Sequence, residues 1–241
     1  MNDHRGTHPK GIQANDIVTG YGQREVVHEV SIESCQGVTC IFGPNGSGKS
    51  TLMKALSGKL PIWSGALFYG GEDITNESIT DIYKRGIIQL PQDGGLFPTL
   101  TVYENLQLGG LKASDIDERI AKIFDRFPML AEKRTQRARE LSGGQRMLLS
   151  MARAMIAEPS IYLLDEPSAG LSPALVDSLF DIVRDIVDSG AHVILIEQNV
   201  RSALRIADFV YILSQGRTQF EGTPHELGEH EDLLETYLGI S

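Results

Sequence analysis

The stretch Gly43-Pro44-Asn45-Gly46-Ser47-Gly48-Lys49-Ser50-Thr51 constrains this chain more than any other. It fits G-x-x-x-x-G-K-[ST] without a mismatch. The apolar run Val38 to Phe42 precedes it and Leu52-Met53-Lys54-Ala55-Leu56 follows, so the expected order is strand, glycine loop, helix. Gly46 and Gly48 let the backbone curl until successive N–H groups point inward, and the positive end of the following helix adds to that field. Such a cradle binds phosphate. Lys49 is expected to reach the β- and γ-phosphates of a nucleotide, and the Ser50 hydroxyl to hold Mg²⁺. The plain alternative is a glycine-rich turn that carries a lysine.

A length of 241 residues suits one large α/β domain or two small ones. Hydrophobic residues at 41% and charged residues at 22% are ordinary for a globular protein in water. No apolar run approaches the roughly 18 residues that span a bilayer. Met1 to Lys10 is polar, with Asp3, His4, Pro9 and Lys10; it is expected to be a disordered tail, not a signal peptide, and the cytosol is the expected compartment. Cys35 and Cys40 are too few for a disulfide framework and lack metal-ligand spacing. The formal charge of −10 argues against non-specific binding of nucleic acid. Lys133, Arg134, Arg137 and Arg139 are the local exception, expected as a solvated helix face before a binding patch.

Along the chain, Ile12 to Thr19, Val26 to Ile32, Val38 to Phe42, Gly65 to Tyr69 and Ile87 to Leu90 read as strands. From Gln92 the pattern turns helical. Thr101 to Leu108 is one helix. Ser114 is expected to cap a second, with Asp117 three residues later and Ile116, Ile120, Ile123 and Phe127 as its stripe. The segment 93–157 is therefore expected as a helical insertion between two parts of an α/β core, 11–92 and 158–241. Strands return at Ile161 to Leu164, His192 to Ile196, Phe209 to Leu213 and Thr218 to Glu221. Ser172-Pro173 starts a helix with the stripe Leu175, Leu179, Val183 and Ile186, and Thr223 to Leu238 is helical in pattern. Strands buried on both sides and alternating with helices indicate a mainly parallel sheet.

Two further motifs carry chemistry. The apolar strand 161–164 ends in Asp165-Glu166. Asp165 is expected to bind Mg²⁺, and Glu166 to accept a proton from an attacking water. The alternative reading is two ordinary acids at a strand end. Leu141-Ser142-Gly143-Gly144-Gln145 opens a helical run, so its N–H groups and hydroxyl form a second anion-binding device. Alone, it could equally be a flexible turn.

Together these pieces resemble the ATP-binding subunit of ABC transporters, from about Ile12 to Leu238. Tyr21, the loop 43–51, Gln92, Leu141 to Gln145 and Asp165-Glu166 stand in that family's order. The resemblance implies a P-loop NTPase fold of the ABC ATPase kind: a mainly parallel α/β core sheet, an N-terminal antiparallel β-subdomain and an inserted helical subdomain. It implies ATP and Mg²⁺ as ligands, with Tyr21 stacked on adenine and Gly43 to Thr51 around the phosphates. Gln92 would touch Mg²⁺ and the attacking water. A second ATP-binding subunit would close head to tail, so that Ser142, Gly143, Gly144 and Gln145 of one face the γ-phosphate held by Lys49 of the other. Transmembrane permease subunits would provide the only membrane contact, at the cytoplasmic face. For Tyr21, an aromatic packed in a turn is the alternative reading; for Gln92, a solvated loop residue.

Two positions depart from the general pattern. Ser172 stands where an Asp usually follows Ser168-Ala169-Gly170-Leu171, and it could simply cap a helix. In Ile196-Glu197-Gln198-Asn199, Gln198 replaces the usual histidine and could donate to a γ-phosphate as a neutral group. Glu166 to Pro173, Glu197 to Asn199 and Leu96 to Val102 look like the LivF-type ATPase of branched-chain amino-acid importers and its counterpart in urea and amide importers. Asp93-Gly94-Gly95 departs from the basic residues expected beside Gln92, on a loop that the resemblance places against the permease.

Other classes fit less well. A chromosome-maintenance ATPase needs a long coiled coil between Ser50 and Ile161, where no sustained heptads occur. A soluble assembly-factor ATPase fits the length but not Glu197-Gln198-Asn199. A small-molecule kinase sharing only the phosphate loop leaves Leu141 to Gln145 unexplained.

Overall fold

The computed structural model describes residues 11–34, 36–92, 94–110 and 113–238. The tail 1–10, Cys35 and Asp93 lie outside the described residues. In chain order the elements are β1 (Ile12–Tyr21), β2 (Arg24–Glu33), β3 (Val38–Phe42), α1 (Lys49–Leu56), β4 (Ser64–Tyr69), β5 (Glu72–Asp73), α2 (Ile79–Lys84) and β6 (Ile87–Leu90). Then come α3 (Val102–Gly109), α4 (Ile116–Arg126), α5 (Pro128–Glu132), a 3₁₀ turn (Ala138–Glu140) and α6 (Gly143–Ile156). The remainder is β7 (Ile161–Asp165), α7 (Pro173–Asp188), β8 (His192–Ile196), α8 (Val200–Leu204), β9 (Phe209–Ser214), β10 (Arg217–Gly222), α9 (Pro224–Gly228) and α10 (Glu231–Leu238).

Every residue of β3, β7 and β8 is buried, which is why these strands are mostly apolar runs instead of alternating ones, with Thr39, Asp165 and His192 as their polar members. They form the middle of a six-stranded sheet in the order β10-β9-β3-β8-β7-β6, parallel throughout except for the β9–β10 hairpin. Register decides where the site falls. Ile41 of β3 and Asp165 of β7 both pair with Ile196 of β8. Three parallel strands therefore end level, and the residues that follow each of them meet at one edge, where ligands of such sheets bind.

A second sheet, β2-β1-β4-β5, is antiparallel. Helix α1 lies between the two sheets: Leu52, Met53 and Leu56 are fully buried among Ile12, Ile17, Ile41 and Leu163. Each such side chain contributes roughly 1.5–3 kcal/mol by burial, which fixes the helix that carries Lys49 and Ser50. On the opposite face, α3, α4 and α6 pack Leu106, Ile120, Ile123, Leu149 and Met151 into one core with α7.

Several local expectations are corrected. Asp115, not Ser114, stands at the N-cap of α4 and makes no side-chain capping bond; Asp117 instead accepts from the Tyr103 hydroxyl at 2.8 Å. The Lys133–Arg139 cluster is not one helix face. Lys133 and Arg134 lie in a turn after α5, Arg137 forms an isolated β-bridge with Thr101, and Arg139 is in the 3₁₀ turn; Arg134 lies 5.6 Å over the Tyr103 ring. Ser172 does occupy the N-cap of α7 before Pro173, but its hydroxyl caps nothing. Leu175 belongs outside the buried stripe at 43% exposure, whereas Leu179, Val183 and Ile186 are buried. The C-terminal helical pattern is two helices, α9 and α10, separated at Glu229 and His230.

Candidate active site

The chain leaves β3 at Phe42 and enters α1 at Lys49 through a loop with three glycines at positive φ: Gly43 at 142°, Gly46 at 81° and Gly48 at 104°. At Gly43 there is also no room, because a Cβ there would stand 2.0 Å from the Leu213 carbonyl oxygen. The turn after β9 backs the loop, Gly216 N–H donating to the Ser47 carbonyl at 2.9 Å. Inside the curl, Lys49 Nζ donates to the Gly43 and Pro44 carbonyls at 2.7 and 3.1 Å. An ammonium has three donors, so one stays available. Burial pushes the Lys49 ammonium below the usual lysine range, and the charges of Glu166 and Asp165 oppose that shift. The Ser47 hydroxyl is buried with no hydrogen-bond partner among the described residues. A buried polar atom left so is costly unless a ligand completes it. A glycine loop that opens a helix, a buried cation and an orphaned hydroxyl fit a polyphosphate.

At the end of β7, Asp165 accepts from the Ser50 hydroxyl at 3.1 Å. Burial raises the Asp165 carboxyl above the usual aspartate range; the Ser50 bond opposes that and the neighbouring Glu166 adds to it. The pair fits Mg²⁺, which keeps most of its water and takes one or two protein ligands. No cluster of three or more His, Cys, Asp or Glu side chains able to hold a metal occurs among the described residues.

Glu166 sits one residue on, at φ 50°, in a region that only a well-held non-glycine residue occupies. Its N–H donates to the Ile196 carbonyl at 2.9 Å. Its carboxylate receives Gln198 Nε2 at 2.9 and 2.8 Å, and Gln92 Nε2 at 3.4 Å. Loops after β6, β7 and β8 thus bring Gln92, Glu166 and Gln198 together beside the Ser50–Asp165 pair. Two neutral amides hold the carboxylate without neutralising it, so it can still accept a proton.

One sequence-derived site, Ser142–Gln145, lies apart from this cluster, whereas Tyr21 meets it through Thr51 and Lys54. Ser142 is the N-cap of α6, with a complete capping box: its hydroxyl accepts from Gln145 N–H at 3.3 Å, and Gln145 Oε1 accepts from Ser142 N–H at 3.0 Å. Gly143 has open space around it, whereas a Cβ on Gly144 would stand 2.5 Å from Leu175 Cδ1. No hydrogen bond or ion pair among the described residues joins Ser142–Gln145 to the loop 43–51. Tyr21 ends β1 with 47% exposure, and its hydroxyl accepts from Lys54 Nζ at 3.1 Å.

Sequence reasoning missed Lys54 as the partner of Tyr21, and missed Glu197, which is buried at 2% exposure against Ser168. Glu197 reads in the sequence only as part of Glu197-Gln198-Asn199, with no role of its own, and no motif carries Lys54. A charged residue directly after the mostly apolar β8 was the available signal for Glu197.

Against known proteins, residues 28–169 match the family described as "ABC transporter". The chain is 38% identical over 225 residues to the probable branched-chain amino acid transport ATP-binding protein LivF of Archaeoglobus fulgidus, covering 92% of this chain and 95% of that one. It is 33% identical over 234 residues to the lipopolysaccharide export system ATP-binding protein LptB of Escherichia coli, covering 95% and 97%. Among solved structures, a nucleotide-free ATP-binding cassette from an ABC transporter superposes with a TM-score of 0.84 at 30% identity, covering 94% and 95%.

Proposed function

The chain belongs to the ABC transporter family, and on that premise we propose that it is the ATPase subunit of an importer for branched-chain amino acids or related small amides. The observation that carries the hydrolytic role is the Glu166 carboxylate, held by Gln198 and Gln92 at the strand end beside the phosphate loop. Lys49, the Ser47 hydroxyl and backbone N–H groups of the loop 43–51 bind the β- and γ-phosphates of ATP. Glu166 takes a proton from the water that attacks the γ-phosphorus, and ADP leaves with the bridging oxygen. Gln198 and Gln92 keep the carboxylate aimed. Mg²⁺, when bound by Ser50, Asp165 and Gln92, supplies positive charge to the phosphate oxygens. Tyr21 takes the adenine face. Catalysis is positioning and charge stabilisation.

Gly143 and Gly144 have N–H groups at a helix start, where the N–H groups of Ser142 and Gln145 are taken by their capping box. In this reading a second ATP-binding subunit brings them to the γ-phosphate across a head-to-tail interface. A groove of about 580 Å³ opens beside the Gln92 loop, lined by Tyr83, Ile88, Leu90, Phe97, Leu108 and Arg153. A helical segment of a permease fits its apolar walls, and would hold this chain at the cytoplasmic face of the membrane. Among the described residues no helix is long and apolar enough to cross a membrane.

Glu197-Gln198-Asn199 and the 38% identity to a branched-chain amino acid transport protein support the importer reading. The 33% identity to a lipopolysaccharide export protein supports export of a lipid as the second reading. Purification from native membranes in mild detergent, with mass identification of what stays bound, tests the choice. A multi-span permease that transports amino acids or amides supports the proposal. A lipid-exporting permease supports the second reading, and recovery with soluble partners alone contradicts both.

A further inference from the structure

Three consecutive residues at the end of β8 hold three points on the loop that carries Glu166. The Ile196 carbonyl accepts from Glu166 N–H at 2.9 Å, and Gln198 Nε2 donates to the Glu166 carboxylate at 2.9 and 2.8 Å. Between them, the Glu197 carboxylate accepts from Ser168 N–H at 3.0 Å and from the Ser168 hydroxyl at 2.6 Å. We infer that Glu197 is a positioning residue for hydrolysis: its bidentate hold on Ser168 fixes the 166–168 turn so that the Glu166 carboxylate meets Gln198. This rests on the ATPase reading given above.

The location is costly for an acid. Glu197 is 2% exposed and Ser168 8%. Burial raises the Glu197 carboxyl, the two Ser168 bonds and the Gln198 N–H oppose that, and the nearby Glu166 charge raises it further. An apolar residue would fill the space without that penalty, so packing alone does not account for a carboxylate here. The turn, however, needs holding. Glu166 is at φ 50°, a strained conformation for a residue with a side chain. Without the Ser168 anchor the turn can relax, and the carboxylate departs from the reacting water while Lys49 and the phosphate loop stay in place.

Glu197→Ala, Glu197→Gln, Ser168→Ala and the double variant Ser168→Ala/Glu197→Ala are compared with the full chain for kcat, nucleotide affinity and amide exchange over residues 166–171. The expected result for Glu197→Ala is a fall in kcat of about tenfold or more, since small misplacements of a reacting group cost up to ~100-fold, with nucleotide affinity kept. Glu197→Gln, which can still accept from Ser168 N–H, recovers most of the loss. Ser168→Ala lowers kcat, and the double variant is no slower than Glu197→Ala alone. Exchange quickens in 166–171 and not in α1. Unchanged kcat in Glu197→Ala, loss of nucleotide affinity in parallel with kcat, or additive single effects would each overturn the inference. If Glu197→Ala does not fold, Ser168→Ala and Glu197→Gln give the same reading. A wild-type chain without ATP turnover contradicts the ATPase reading instead, and the exchange result still tests the hold.

Discussion

Gln198 Nε2 lies 2.9 and 2.8 Å from the two carboxylate oxygens of Glu166. A carboxylate only accepts, so the nitrogen end of the amide must face it. The contact makes Gln198 a brace for Glu166, and the same N–H group could turn to a γ-phosphate. A histidine there could make the same donation. Gln198→His is therefore expected to keep turnover within about tenfold, measured as phosphate release at saturating ATP. A collapse to background contradicts the brace.

Removing the buried cation should separate binding from stability. Lys49→Ala is expected to weaken ATP binding by roughly 10–100-fold, the worth of a charge-assisted contact. Because burial disfavours the charged Lys49, the nucleotide-free variant should unfold at the same denaturant concentration as the wild type or a higher one. Fluorescent-nucleotide titration and urea unfolding measure the two effects.

The loop glycines should differ in cost. At Gly43 a Cβ meets the Leu213 carbonyl oxygen at 2.0 Å and φ is 142°, so Gly43→Ala is expected to lose about 2–4 kcal/mol together with ATP binding. At Gly46 nothing lies within 4 Å of a Cβ and only the φ of 81° is unfavourable. Gly46→Ala should cost on the order of 1–2 kcal/mol. Equal costs in urea unfolding contradict the close approach at Leu213.

Glu197 gives the pH dependence. Burial raises its carboxyl in the folded chain above the ordinary 4.5. The folded state then holds its proton where the unfolded state has released it, so this group's contribution is full below pH 4.5 and is lost as pH rises through the folded value. Glu197→Gln has no such loss. The stability of the variant relative to wild type should climb with pH above that point and be flat below it, read by urea unfolding at a series of pH values. A difference that falls as pH rises contradicts the assignment.

The central sheet was legible because buried parallel strands must be mostly apolar: Val38 to Phe42, Ile161 to Leu164 and His192 to Ile196 all became strands. Phosphate-loop chemistry was legible for a similar reason, since glycine spacing reflects backbone geometry. What sequence could not supply was level strand ends. Gln92, Glu166 and Gln198 are scattered along the chain and meet only through the register of β6, β7 and β8. Local caps were less legible. Ser114 fitted the capping pattern, but Asp117 found Tyr103 instead, a contact fixed by the packing of α3 against α4. The stripe of α7 failed at Leu175 because that residue lies against Gly144 of α6, beyond the core.

The most direct test of the account is Glu166→Gln, which keeps size and one acceptor oxygen for Gln198 and removes the base. ATP affinity should stay within about threefold of wild type, and phosphate release should fall by roughly 10²–10⁴-fold, the range for loss of a general base. With Mg²⁺ and ATP the variant should run as a dimer on gel filtration, with two nucleotides retained, and should return to monomer with ADP. Near-normal phosphate release by Glu166→Gln would contradict Glu166 as the proton acceptor and, with it, the mechanism assigned to this site.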